Sequence, residues 1–145
     1  MSLQVQLMQD LKEAMKNKDS LKKGVLTLIK SGISLAQKEK KAHLTFEEEL
    51  AIVQRELKQT RQALTEAEKA NRQDIIEQEK AKIEIIQSYL PKQLSEEEIE
   101  KELDILGISK GMSIGEAMKI AKPAMAGKVD NAVLAKLIRQ RLGQY

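Results

Sequence analysis

Residues 89–95 read Tyr-Leu-Pro-Lys-Gln-Leu-Ser, and this stretch decides how the chain is built. Pro91 has no backbone N–H and disfavours the helical region for the residue before it, so a helix arriving from upstream must stop there. Ser95-Glu96-Glu97-Glu98 then fits the reciprocal pattern in which a serine caps a new helix and the third residue beyond it reaches back. One helix therefore ends and another begins within a few residues. The junction separates a helical front part, residues 1–91, from a compact tail, residues 92–145.

Upstream, Leu3, Leu7, Leu11 and Met15 recur every four residues, with Met8 and Ala14 beside them, which predicts an amphipathic helix over 3–17. Asn17 can end it and Asp19 can cap the next, where Leu21, Val25, Leu28, Ile29, Ile33 and Ala36 mark an inner face and Lys23 and Lys30 share another. Thr45-Phe46-Glu47-Glu48 is a second capping box, its cap worth on the order of 1 kcal/mol. It opens a long seam of Phe46, Leu50, Val53, Leu57, Thr60, Leu64 and Ala67 in alternating steps of four and three. Asn71 with Asp74 can start a partner helix carrying Ile76, Ile83, Ile86 and Leu90, and so short a connection favours an antiparallel hairpin.

Downstream, Ile99, Leu103 and Leu106 face inward on a helix that Gly107 terminates. Ser113-Ile114-Gly115-Glu116 reads as a third box, before a helix with Ala117, Met118 and Ala121 that Pro123 ends or distorts. Asp130 caps a last helix with Val133, Leu134, Leu137, Ile138 and Leu142 inside. No segment keeps a strand period. The expected fold is all-α: an N-terminal helical domain with a long antiparallel hairpin, then a small C-terminal three-helix bundle.

Composition agrees. The 145 residues are 32% charged and 2% aromatic, with two prolines and seven glycines, so Leu, Ile, Val, Met and Ala must build the core. There is no cysteine, which removes disulfides and thiolate metal sites and fits a reducing compartment. No apolar run approaches the ~20 residues needed to cross a bilayer, and the start Met-Ser-Leu-Gln-Val-Gln lacks signal-peptide character, so a cytoplasmic protein without a membrane partner is expected.

The net charge of +3 conceals a division. From Lys12 to Lys41 nine lysines face Glu13, Asp19 and Glu39; from Lys119 to Arg141 four lysines and two arginines face Asp130 alone. Between them, Glu96 to Asp104 carries six carboxylates and one lysine. Such segregation gives sided electrostatics.

Catalytic signals are sparse. His43 is the only histidine and falls in a polar connection, so a triad would need partners from across the fold. The glycines fall singly at helix ends, so no phosphate loop forms, and Gly107-x-x-x-Gly111 sits in a polar turn. Glu96–Glu98 serve a helix N-terminus better than a metal, and neither metal nor cofactor is expected. The stronger pattern is Gly127-Lys128-Val129-Asp130, a glycine and a lysine at a helix start, where phosphates bind. Lys119 and Lys122 precede it, and Lys136 and Arg139 follow. These six positions, Lys119, Lys122, Gly127, Lys128, Lys136 and Arg139, are the candidate RNA-binding residues. Phe46 is expected to be buried, which leaves Tyr89 and Tyr145 as the other aromatics, so recognition would use shape, phosphate and 2′-OH contacts in place of base stacking.

Taken together, the segments resemble the GatB/YqeY proteins. The resemblance rests on Asp10-Leu11-Lys12-x-Ala14-Met15-Lys16, Leu28-Ile29-Lys30-Ser31, Arg72-Gln73-Asp74, Tyr89-Leu90-Pro91-x-Gln93-Leu94-Ser95, Gly115-Glu116-Ala117-Met118-Lys119 and Gly127-Lys128-Val129-Asp130, in that order along the chain. It implies a three-helix C-terminal module shared with the tail of the B subunit of the Asp/Glu-tRNA amidotransferase, a carbon–nitrogen ligase with glutamine as amido donor. In that enzyme the tail grips tRNA, and the same role is implied for Gly127, Lys128 and Asp130. The chain departs from the family pattern at Thr27, near which an arginine is usual, and at Asn131-Ala132, where a glycine and a basic residue are usual. The implied partners are tRNA and a tRNA-modifying or aminoacylation enzyme. The expected role is an accessory with no catalytic site of its own. A helical protein–protein adaptor, using Ile52 or Ile75 as exposed contacts, is the alternative, and an amide-transfer subunit is the third reading.

Overall fold

Side chains that accept hydrogen bonds from the first turn set most helix starts in this protein, whose computed structural model describes residues 2–143. Seven α-helices and no strand occur among the described residues: α1 Leu3–Lys16, α2 Ser20–Lys40, α3 Phe46–Lys69, α4 Gln73–Gln87, α5 Glu96–Ile105, α6 Ile114–Ala124 and α7 Asn131–Leu142. The fold is all-α. Asp19, Thr45, Ser95, Ser113 and Asp130 each accept from a first-turn N–H, as their chemistry predicts. Thr45 and Ser95 form full reciprocal boxes with Glu48 and Glu98. At Ser113 the hydroxyl accepts from the Glu116 N–H at 3.1 Å.

The packing divides the chain into two units, Met1–Leu90 and Pro91–Tyr145. In the first unit, α3 and α4 form the most extensive helix pair, and α1 packs on α2. Their shared core holds Leu7, Leu26, Ile29, Ile33, Val53, Leu57 and Ile86. Glu49 is only 2% exposed, yet it is not isolated. Its carboxylate accepts from the Leu3 N–H and the Ser2 hydroxyl, both at 3.2 Å, and so closes the N-terminus of α1 with a negative charge. Tyr89 donates a short hydrogen bond to Asp10, tying the residues after α4 to α1. Burial, reinforced by the Asp10 carboxylate, pushes the Tyr89 phenol well above its ordinary range.

The second unit builds its own core from Ile99 and Leu103 of α5, Ala117 and Ala121 of α6, and Leu134, Leu137, Ile138 and Leu142 of α7. Gly107 ends α5 at φ +73°, a left-handed conformation in which a side chain would be strained.

Five expectations about local detail fail. Phe46 is 51% exposed, because the first turn of α3 leaves it outward while Leu50 and Val53 fill the core below. On α2 the inner residue is Leu26, and Leu28 is 60% exposed. Met8 and Met15 are likewise exposed on α1, where Leu3, Leu7 and Ala14 take the inner positions. Ile52, expected as an outer contact, is buried against α2: a Cβ built on Gly32 would lie 3.0 Å from its Cγ2. Finally, Asn71 does not cap α4. It takes φ +52° in the turn after α3, and Arg72 occupies the cap position without a side-chain bond.

Candidate nucleic-acid interface

The turn before α7 is built by three residues from before α5. Gln93 donates from its side-chain amide to the Gly127 carbonyl at 2.7 Å and to the Pro91 carbonyl at 3.0 Å. The Leu94 N–H donates to the Lys128 carbonyl at 2.9 Å. These bonds lock residues 127–128 from behind, so Pro91-x-Gln93-Leu94 shapes the turn as well as breaking the chain. Gly127 is buried, and its φ of +74° explains why glycine stands there. Val129 anchors the turn in the core.

The backbone amides here are partly occupied. The Lys128 N–H donates to the Met125 carbonyl at 3.0 Å, and the Ala132 N–H to the Asp130 carboxylate at 3.3 Å. An anion approaching this end would therefore meet side-chain cations first. Lys119 and Lys122, three residues apart, share a face of α6, and Lys136 and Arg139 share a face of α7. The two helices pack on each other. All four side chains are exposed, Lys128 is half-buried, and none of the five is ion-paired among the described residues. The structure thus sets the lysines and the arginine on α6, α7 and the turn between them, while Gly127 contributes shape alone.

One cation of this segment is spent differently. Arg141 is 19% exposed in its side chain, and its guanidinium donates to the Ile108 carbonyl at 3.0 Å and the Glu100 carbonyl at 3.2 Å. It also pairs with Asp104 and, at 3.4 Å, with Glu100. Hydrogen bonding to Asp104 raises its pKa further. Arg141 is a staple from α7 to α5 and is not available to a ligand. A sequence count of charges could not separate it from Arg139, although its i−4 neighbour on the apolar face, Leu137, and Ile138 at i−3 give a hint.

Of the other candidates, His43 is exposed in the connection between α2 and α3. Glu98 accepts from the Ser95 N–H at 3.0 Å, which holds its carboxyl below the usual range; Glu96–Glu98 form the acidic first turn of α5. Tyr145 lies outside the described residues. No helix among the described residues is long and apolar enough to cross a membrane.

Residues 4–142 match the family model of the Yqey-like protein. The chain belongs to that family. A relative is the Altered inheritance of mitochondria protein 41, mitochondrial, of Pyrenophora tritici-repentis, 27% identical over 144 residues, with 94% of this chain and 79% of that protein aligned. Family membership thus covers both units, including the 89–95 junction and the Gly127–Asp130 turn.

Proposed function

We propose that this Yqey-like protein is a tRNA-binding accessory of tRNA-dependent amide transfer, and that its C-terminal unit makes the RNA contact without catalysing a step itself. The observation that carries the reading is the set of five cations on α6, α7 and their connecting turn that have no ion pair among the described residues. Between Lys119 and Arg141 the one carboxylate is Asp130, which is engaged at the helix cap, and Glu116 lies a turn earlier on α6. Family membership supports it, since the family resembles the C-terminal region of the B subunit of the tRNA amidotransferase. Lysines and an arginine without aromatic neighbours suit phosphate and ribose contacts on folded RNA.

The test is a fluorescence-anisotropy titration of the full chain with bulk tRNA at several salt concentrations. Binding that weakens steeply with salt, with a slope reduced by about one per lysine removed, supports the reading. Unaltered affinity in Lys128→Gln/Lys136→Gln removes this surface from it. Glutamine-dependent conversion of Glu-tRNA by the isolated chain would overturn the accessory role.

A second reading, a protein–protein adaptor, is favoured by one feature of the first unit. A cavity of about 660 Å³ lies between α2, α3 and α4, with Leu21, Val25, Leu28 and Ile86 among its lining residues. Leu28→Glu would abolish such docking and leave tRNA affinity unchanged.

A further inference from the structure

The basic character of the first unit has no part in the reading above. On α2, Lys23, Thr27, Lys30, Ser34 and Lys38 succeed one another in steps of four, three, four and four, and at 100° per residue they fall on one stripe of the helix. Lys41, at the left-handed cap, extends the line. The stripe is about 22 Å long from Lys23 to Lys38. Three shallow cavities of about 290, 440 and 600 Å³ follow it in order along the helix: beside Lys18 and Lys23, beside Lys30, and beside Lys38 and Lys41. The second and third share Ser34 and Lys38.

Carboxylates are almost absent from this trough. Asp19 alone lines it, and it is engaged as the cap of α2, accepting from the Lys22 N–H at 3.1 Å. Asp10, on α1, is held by Tyr89 and Gln6. Glu39 falls on the side of α2 that carries Leu28 and Leu35, away from the stripe. Lys40 pairs with Glu48 at 2.6 Å, but Lys18, Lys23, Lys30, Lys38 and Lys41 have no carboxylate at ion-pair distance among the described residues. Lys30 lies across α1, its ammonium 3.5 Å from the Met8 sulfur.

We propose that this stripe is a second, independent contact for the phosphodiester backbone of structured RNA. Phosphate oxygens and ribose hydroxyls accept from lysine ammonium and serine or threonine hydroxyl groups alike, and the stripe alternates the two. An acidic helix would instead need apolar anchors among the cations. The stripe positions themselves are all lysine, threonine or serine. The exposed Leu28 and Leu35 keep their own heptad with half-buried Leu21, and apolar contact at the trough is confined to its edge, at Leu35 and at Leu11 and Met15 of α1. No Phe, Tyr or Trp lines it, and His43 at its far end is the single ring on which an unpaired base could stack, which favours a backbone reader of folded RNA over a single-strand binder.

The proposal goes beyond the reading of the tail and does not need it. Bulk tRNA is titrated against the full chain, Lys23→Gln/Lys30→Gln/Lys38→Gln, and Lys128→Gln/Lys136→Gln, from low to moderate salt, with polyglutamate as competitor. The stripe variant is expected to bind at least about tenfold more weakly, with its salt slope lower by about two to three. Chemical acetylation of the wild-type chain, read by mass spectrometry, keeps the test independent of folding: tRNA should protect Lys23, Lys30 and Lys38. Unchanged affinity and slope in the stripe variant, or equal acetylation with and without tRNA, overturns the proposal even if the tail variant is defective. The opposite pattern, a defective stripe variant beside an intact tail variant, supports the stripe and removes the tail site. Displacement of tRNA by polyglutamate at equal charge concentration would point to an acidic protein and also overturn it, as would no tRNA binding at all at low salt.

Discussion

Replacing Arg141 separates two kinds of interaction that meet at one guanidinium. The ion pair with Asp104 is the more conspicuous, but the Asp104 side chain is 70% exposed, and exposed pairs contribute roughly 0.2–1 kcal/mol. The bonds to the Ile108 and Glu100 carbonyls lie in the half-buried part of the site. Hydrogen bonds from a charged donor contribute about 1.5–3 kcal/mol each, and a carbonyl left without its donor retains its desolvation cost. The Glu100 carbonyl belongs to α5 and keeps its place in the helix ladder, so the Ile108 carbonyl carries most of the loss. Arg141→Met preserves the apolar stem and should cost about 2–3 kcal/mol. Arg141→Lys keeps the charge but cannot serve two carbonyls with one planar fork, and should fall between it and the wild type. Asp104→Asn should cost less than about 1 kcal/mol. Native-state hydrogen exchange at Leu103 and Ile138, compared with Val53 of the first unit as internal reference, measures each loss where it arises. If Asp104→Asn proves as damaging as Arg141→Met, or if Arg141→Met costs under about 0.5 kcal/mol, the backbone bonds do not hold α7 to α5 and the reasoning is wrong.

Other perturbations probe the first unit. Glu48 is held at about 2, below its ordinary 4.5, first by the hydrogen bond from Lys40 and then by the Thr45 N–H. The unfolded chain therefore takes up this proton before the folded one, so the stabilisation is complete above about pH 4.5 and fades as pH falls toward 2. An NMR titration of the Glu48 carboxyl should show that low midpoint, and Lys40→Gln should raise it. Gly24 faces open space where a Cβ would sit, so Gly24→Ala should stabilise α2 by about 0.5–1 kcal/mol in urea unfolding, whereas Gly32→Ala, crowding Ile52, should not. Glu49→Gln keeps an acceptor for Leu3 but removes the anion from the N-terminus of α1, and should cost about 0.5–2 kcal/mol, seen as faster amide exchange in α1 while α5–α7 are unaffected.

Helix boundaries were legible in the sequence because they are decided within four residues: a serine, threonine or aspartate hydroxyl or carboxyl meets an N–H of the turn it opens. Asn71 escaped because its side chain suits two local roles, cap and left-handed turn, and the return of α4 along α3 selects the second. Helix faces were harder. On α2 the heptad Leu21, Leu28 and Leu35 competes with Val25, Leu26, Ile29 and Ile33, and the period alone does not say which stripe meets α1 and α3. Packing on α1, α3 and α4 favours the set that is contiguous with Leu7, Val53, Leu57 and Ile86, and leaves Leu28 and Leu35 of the heptad outside. Phe46 misled for a related reason: its register continues the seam, but the seam begins only at Leu50. The candidate RNA-binding cations could be found by counting charge, while Gln93 and Arg141 act across 34 and 33 or more residues and leave no local trace.

Charge counting also weighs every ion equally, and the structure does not. In the second unit Arg141 withdraws one cation from the basic segment, and Glu100 and Asp104 leave the acidic one with it. Glu98 is tied to the Ser95 N–H. What remains free to act at a distance is Glu96 and Glu97 at the start of α5, Glu102 further along it and Glu116 on α6, together with the cations of α6 and α7 other than Arg141. Free carboxylates repel a polyanion as surely as free ammonium groups attract it, and within a Debye length of about 10 Å both are felt. On the proposed reading, a phosphate backbone docking on α6 and α7 would be oriented by exclusion from the α5 N-terminus as well as by attraction. Glu96→Gln/Glu97→Gln should therefore strengthen tRNA binding while Asp104→Asn should not, a contrast that a uniform net-charge effect cannot produce.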